Sequence, residues 1–186
     1  MDIRRYFKDA IDNFIKSNYN ISILEPFGIA YNSAMTEYLK LFFIELFEYA
    51  KNEKGREEQI CVVLEESHTV VPEGNSLGFS SYDAKAAVTC ISQIALQGRK
   101  YNIGFIVVAQ RTANVSKTIL TQCNSIISFR SLDNTSKDFM KNYIRDDFAS
   151  VLSVLEDQEA VVYGKAFRSN APQIVTIKDL TGTSFI

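Results

Sequence analysis

"ICVVLEESHTVV", residues 60 to 71, carries an apolar run straight into two adjacent carboxylates, Glu65 and Glu66. The run is continuous rather than alternating, the pattern of a parallel strand covered on both faces, so residues 59–66 predict a buried strand. Two neighbouring acids at its end repel each other and resist burial unless a cation or solvent at the strand tip compensates. Metal-assisted chemistry on phosphates has a use for that pairing. One acid holds the water shell of a metal and the other orients a nucleophile.

Working outward, further strands join the first. "IGFIVVAQ" (103–110) and "SIISFR" (125–130) read as a second and a third buried strand, and "NISILE" (20–25) as a short one ended by Pro26 and Gly28. "EAVVYGK" (159–165) and "PQIVTIK" (172–178) read as an antiparallel pair at the far edge of the sheet. Helices fall between them. An amphipathic helix is predicted over 3–17, with Ile3, Phe7 and Ile11 on one face. The clearest runs over 35–50, where Met35, Leu39, Phe42, Phe43, Leu46, Phe47 and Ala50 recur at three- and four-residue steps and mark a core face. Others are expected over 82–99, near 133–144 and near 146–155.

Strands alternating with helices predict an α/β layered sheet, whose chemistry sits beyond the carboxyl ends of its strands. Glu65 and Glu66 end one strand, Gln110 and Arg111 the next, and Arg130 a third. These side chains are expected to converge on one crevice.

Composition narrows the function. The 186 residues, with no repeat or linker, are read as a single domain spanning 1–186, and 46% hydrophobic with 23% charged residues excludes wholesale disorder. A net charge of −2 is not that of a free-standing nucleic-acid binder, so DNA would be met by a local cluster or by several copies together. Cys61, Cys90 and Cys123 form no C-x-x-C pair and His68 is the only histidine. That argues against zinc and makes the thiols small core residues of a reducing compartment. No apolar leader and no membrane-length apolar run is present, so the expected location is the cytoplasm, without membrane association.

"CVVLEESH" resembles a Walker B segment merging into a D-E-A-H-type box. "ALQGRKYNIGFIVVAQRTANVSKTILTQCNSIISFR" resembles the continuation found in HerA-like ATPases, relatives of FtsK-type DNA pumps. The likeness covers about residues 20 to 178 and is specific through 60 to 130. It implies a partial RecA-like (P-loop NTPase) three-layer sandwich, with a mostly parallel sheet and an antiparallel C-terminal edge pair. It also implies hexameric rings, ATP hydrolysis with Mg²⁺ and translocation on double-stranded DNA, beside a NurA-type nuclease in many members. By the same resemblance Glu65 holds the Mg²⁺ water shell, Glu66 polarises the attacking water and Gln110 senses the γ-phosphate. Arg99 is a candidate arginine finger reaching a neighbour's nucleotide, and Arg111 and Arg130 are candidate phosphate contacts or salt-bridge partners. The usual Walker B aspartate is Glu65 here, and Ser67 stands where alanine is commoner. His68 fits a hydrogen-bonded positioning residue better than a general base.

A G-x-x-x-x-G-K-[ST] loop is absent; the only Gly-Lys pair, Gly164-Lys165, is followed by Ala166. Such a loop supplies most of the grip on nucleotide phosphates, so the chain alone is expected to hold ATP weakly and not to hydrolyse it. In the family the loop lies upstream of "NISILEPFGI". The sequence therefore reads as the carboxy-terminal half of an ATPase core. Two rivals keep part of this reading: a non-catalytic remnant or regulatory module docking on a complete ATPase, and a metal-dependent nuclease, which needs more ligands than the sequence offers around Glu65. The loops 74–82 and 112–118 read as solvated connectors that could also face a pore, Lys117 then meeting a DNA phosphate.

Overall fold

Helix-period apolar residues and strand runs sort the chain into two compact units, Met1–Gln110 with Asn114–Gln122, and Arg111–Ala113 with Cys123–Ile186. The computed structural model describes residues 2–25, 33–53, 55–73 and 81–178. Pro26, Gly28 and residues 74–80 of the 74–82 loop lie outside them.

In the first unit, α1 (Ile3–Lys16) is capped by the Asp2 side chain, which accepts from the Arg4 amide. Of the predicted face Phe7 and Ile11 are buried while Ile3, in the first turn, is exposed; Phe7 meets the rings of Tyr38 and Phe42 edge-on at 4.6 and 5.5 Å. Arg4 holds the buried Glu45 of α2 (Ser33–Lys51) at 2.7 Å, so that acid is not left uncompensated. Phe43, Leu46 and Ala50 of α2, with Ile91 and Ile94 of α4 (Ser81–Gln97), cover one face of a parallel pair. That pair is β1 (Ile60–Leu64) and β2 (Ile103–Val107), in register from Ile60 opposite Ile103 to Leu64 opposite Val107. Leu64 and Ile103 are buried in this core, and each large apolar side chain so covered contributes about 1.5–3 kcal/mol.

Three expectations fail in this unit. Residues 20–25 form no strand; Ile21 and Ile23 stand 78% and 86% exposed, because a strand is stable only when another backbone pairs with it and none does so among the described residues. The run 60–66 is also not covered on both faces. Cys61, Val63, Ile106 and Val108 are exposed on the side away from the helices, which also corrects the reading of Cys61 as a core thiol. Cys90 and Cys123 fit it better, since burial pushes both thiols above their ordinary pKa.

In the second unit, β3 (Ser125–Phe129) pairs antiparallel with β4 (Glu159–Gly164), which pairs antiparallel with β5 (Gln173–Thr176). The expected C-terminal antiparallel pair is present. The third strand of the sequence reading joins it instead of the parallel pair, so the described strands form two sheets. α6 (Asn134–Val151) is broken at Arg145, whose φ of 69° is non-helical, at the joint between the two helices expected there. Met140, Ile144, Ala149, Leu152 and Val161 form the core of this unit.

Candidate active site

The chain turns sharply where β1 ends. Glu66 has φ 46° and ψ 45°, the left-handed region, which costs a glutamate on the order of 1 kcal/mol or more. Hydrogen bonds on both sides hold it there. Its carbonyl accepts from the Thr69 amide and the Thr69 hydroxyl, both at 2.8 Å, opening the single turn α3 (Ser67–Val70). Ser67 is fully buried and donates twice to the Val108 carbonyl, from its amide at 3.0 Å and its hydroxyl at 2.8 Å. The Val108 amide donates to the Leu64 carbonyl at 3.0 Å. The carboxyl ends of the two parallel strands are thereby stapled together.

That staple brings together two residues 44 apart in sequence: Gln110 Nε2 donates to Glu66 Oε1 at 3.0 Å. On the other oxygen, His68 Nδ1 lies 3.3 Å from Oε2. The distance is that of an ion pair but the angle is not that of a hydrogen bond, and the buried Nδ1 has no hydrogen-bond partner among the described residues. Glu65 is exposed beside them and forms no ion pair among the described residues. Beyond α3 the chain is bracketed again. Pro72 bridges Val115, the Ser116 amide donates to the Val71 carbonyl at 2.8 Å, and the Lys117 amide donates to Glu73 Oε2 at 2.8 Å. Val115 is fully buried, so this part of the 112–118 loop is a structural tie and not a solvated connector.

No hydrogen bond or ion pair among the described residues joins the remaining predicted residues to Glu65, Glu66 or Gln110. Arg99 lies in the 3-10 turn Gly98–Tyr101, before β2, exposed and without an ion pair among the described residues. Arg111 is exposed. Arg130 belongs to the second unit, where its guanidinium pairs with Asp157 at 3.1 Å; of its two readings the structure contains the salt bridge. Within the first unit the expected meeting of strand ends is that of Glu66 with Gln110, and Glu65 is exposed next to Glu66 in the chain. Ser67 and Thr69 escaped the sequence reading as organising residues. A small hydroxyl residue directly after the paired acids was the only available signal.

Among the described residues no three His, Cys, Asp or Glu side chains gather as a metal site. Glu65 suits a carboxylate that touches Mg²⁺ through water, since that ion keeps several waters and draws other ligands from substrate phosphates. The nuclease alternative would need ligands beyond it.

No family model matches the sequence. The chain is 30% identical to the DNA double-strand break repair helicase HerA of Saccharolobus solfataricus over 139 residues, covering 73% of this chain and 26% of that protein. It is 29% identical to the Pyrococcus furiosus protein of the same name over 127 residues, covering 66% of this chain and 22% of that one. The chain is a HerA-like member of the FtsK/HerA superfamily. A wider likeness is to "Probable helicase MJECL08" of Methanocaldococcus jannaschii, 29% identical over 178 residues, 90% of this chain and 32% of that one. The HerA-like chain thus spans 22% to 32% of the length of these relatives.

Its fold is that of solved P-loop ATPases. B204, the DNA-packaging ATPase of Sulfolobus turreted icosahedral virus, superposes with a TM-score of 0.57 at 15% identity, over 95% of this HerA-like chain and 90% of B204. The B204 NTPase of Sulfolobus turreted icosahedral virus 2, in complex with AMPPCP, gives 0.52 at 14% identity over 81% and 64%. The α/β, partial RecA-like fold class stands. None of the described helices is long and apolar enough to cross a membrane.

Proposed function

We propose that this HerA-like chain supplies one wall of an ATP-hydrolysing site in a DNA-translocating ring, the phosphate-gripping wall coming from polypeptide with a glycine-rich loop. The observation that carries this is the 3.0 Å bond between Glu66 and Gln110 at the carboxyl ends of two adjacent parallel strands. In this reading Glu66 takes the proton of the attacking water and Gln110 turns an amide toward the γ-phosphate. Glu65 holds the water shell of Mg²⁺, which when bound neutralises the developing phosphate charge. The exposed strand face of Cys61, Val63, Ile106 and Val108 supports a missing layer, because parallel sheets are covered on both sides. Double-stranded DNA as substrate, a hexameric ring and a NurA-type nuclease partner follow from the family likeness and belong to the same proposal, as does a cytoplasmic location.

The test is complementation. The purified 186-residue chain is expected to show no ATP turnover, and turnover is expected on mixing with a HerA-like polypeptide that has the glycine-rich loop but a disabled acidic strand end. Glu66→Gln should abolish it, and Arg99→Ala should lower it by about three decades. Turnover by the chain alone, lost in Glu66→Gln, would overturn the division of labour. Binding to the loop-bearing polypeptide without any turnover would favour the regulatory-module reading, which the same exposed face also supports.

A further inference from the structure

We propose that His68 is the positioning residue for Glu66, holding Oε2 through Nδ1–H while Gln110 turns from Oε1 to the nucleotide. This rests on the reading of Glu66 as the water-activating carboxylate. Three observations lead to it. Glu66 Oε1 is held by Gln110 at 3.0 Å, and a glutamine that re-aims this amide so that its second N–H meets a phosphate draws the first N–H off the line of that bond. The carboxylate is half exposed and has three rotatable bonds, so once released it would be free to swing away from the attacking water. And a buried ring nitrogen, His68 Nδ1, lies 3.3 Å from the other oxygen with no hydrogen-bond partner among the described residues.

Buried polar atoms are nearly always satisfied, so an orphaned nitrogen beside a carboxylate marks a bond that a small side-chain rotation completes. The neutral ring can donate from only one nitrogen, which requires the tautomer with the proton on Nδ1. The backbone makes the handover possible without other movement. His68 sits in α3, whose start is pinned by the two bonds of Ser67 to Val108, and Glu66 precedes it in a fixed left-handed conformation. Ring and carboxylate therefore keep their separation while Gln110, on the other strand, changes partner. Partners that orient a metal ligand from behind are worth about 10- to 100-fold in activity, and an effect of that size is expected for a holder of Glu66.

Two measurements decide it. The first uses the 186-residue chain alone and does not depend on hydrolysis: a long-range proton–nitrogen correlation spectrum of the nitrogen-labelled protein, recorded at a pH where the spectrum itself shows a single ring proton. It should show the Nδ1–H tautomer of His68 in the wild type and a shift toward the other tautomer in Glu66→Ala. An Nε2–H tautomer in the wild type overturns the proposal, whatever becomes of the complementation assay. The second compares His68→Leu with His68→Asn, whose amide nitrogen falls near the place of Nδ1, in the complemented ATPase. His68→Leu should lower kcat about 10- to 100-fold with KM unchanged, and His68→Asn should restore most of it. Wild-type kcat in His68→Leu, or equal loss in both variants, overturns it.

Discussion

Ser67→Ala tests whether the staple at the strand ends is as strong as its geometry implies. The Ser67 hydroxyl donates to the Val108 carbonyl at 2.8 Å, and the substitution removes that bond alone, because alanine keeps the amide that donates to the same oxygen at 3.0 Å. The carbonyl is never left without a donor, so the penalty for an orphaned buried acceptor does not arise. What remains is the net worth of one neutral hydrogen bond in a fully buried place, about 1 kcal/mol. The space vacated is a single oxygen, too little for a costly cavity. A change of about 1 kcal/mol multiplies a local opening equilibrium roughly fivefold. Native-state hydrogen exchange at the amides of position 67 and Val108 reads it directly. Both should exchange about fivefold faster, while amides of β4 in the second unit keep their wild-type rates. Ser67→Val, which adds bulk in the same buried place, should cost about 1–3 kcal/mol. Unchanged exchange in Ser67→Ala would mean that the hydroxyl bond carries nothing. Acceleration beyond about a hundredfold would mean that the amide bond cannot hold the turn alone, and either result refutes the reasoning.

Gly164 has φ 118°, and a Cβ there would collide with the carbonyl oxygen of Asn124 and come 2.5 Å from Ser125 Cα, so Gly164→Ala should cost roughly 3 kcal/mol or more by urea unfolding of the second unit. Cys61 is the exposed thiol and burial disfavours the thiolates of Cys90 and Cys123; a thiol-reactive dye should show one fast phase that Cys61→Ser removes. Asp133 caps α6, and Ser136, through its hydroxyl and then its amide, with Thr135 after it, holds that carboxyl below the usual range. The hydroxyl meets no hydrogen-bond angle, so the amides at 2.9 and 3.3 Å fix the cap. A depressed folded pKa gives stability that is present above the unfolded value of about 4 and lost as pH falls through the folded one. The stability difference between wild type and Asp133→Ala should therefore be full at neutral pH and shrink in acid, as followed by circular dichroism. In the complemented ATPase, mixing Glu66→Gln chains with Arg99→Ala chains should recover activity that neither has alone, if the finger serves a neighbouring copy.

How much of this was legible in the sequence depended on whether a signal was local. Phe7 and Ile11 of α1, and Phe43, Leu46 and Ala50 of α2, lie where helical spacing put them, because burial of one stripe is decided within the helix itself. The break between two helices at Arg145 was likewise visible. Pairing is not local, and there the reading failed. "NISILE" has strand-type residues but no backbone beside it among the described residues, and "SIISF" found its partner in β4 instead of β2. At the site, the identity of Glu66 and Gln110 could be read from strand ends. The left-handed turn, the double bond of Ser67 to Val108 and the orphaned Nδ1 of His68 could not, since each depends on angles that residue types leave open.

The position of Arg99 bears most directly on how the site would be completed. It lies in the turn that leads into β2 at its amino end, where the Ile60 amide donates to the Asn102 carbonyl, whereas Glu66 and Gln110 stand past the carboxyl ends of both strands. Between them runs the whole of Ile103–Val107, roughly 16 Å of extended chain at about 3.3 Å per residue. An arginine side chain cannot span that distance along its own sheet and still place a planar fork on a phosphate. Within one first unit, therefore, Arg99 and Glu66 do not serve the same nucleotide, and if Arg99 is a finger its target is the strand-end site of another copy. The first unit carries its acid pair at one end of the parallel strands and, at the other, a guanidinium with no ion pair among the described residues, which is the arrangement that the proposed head-to-tail contact between copies would need.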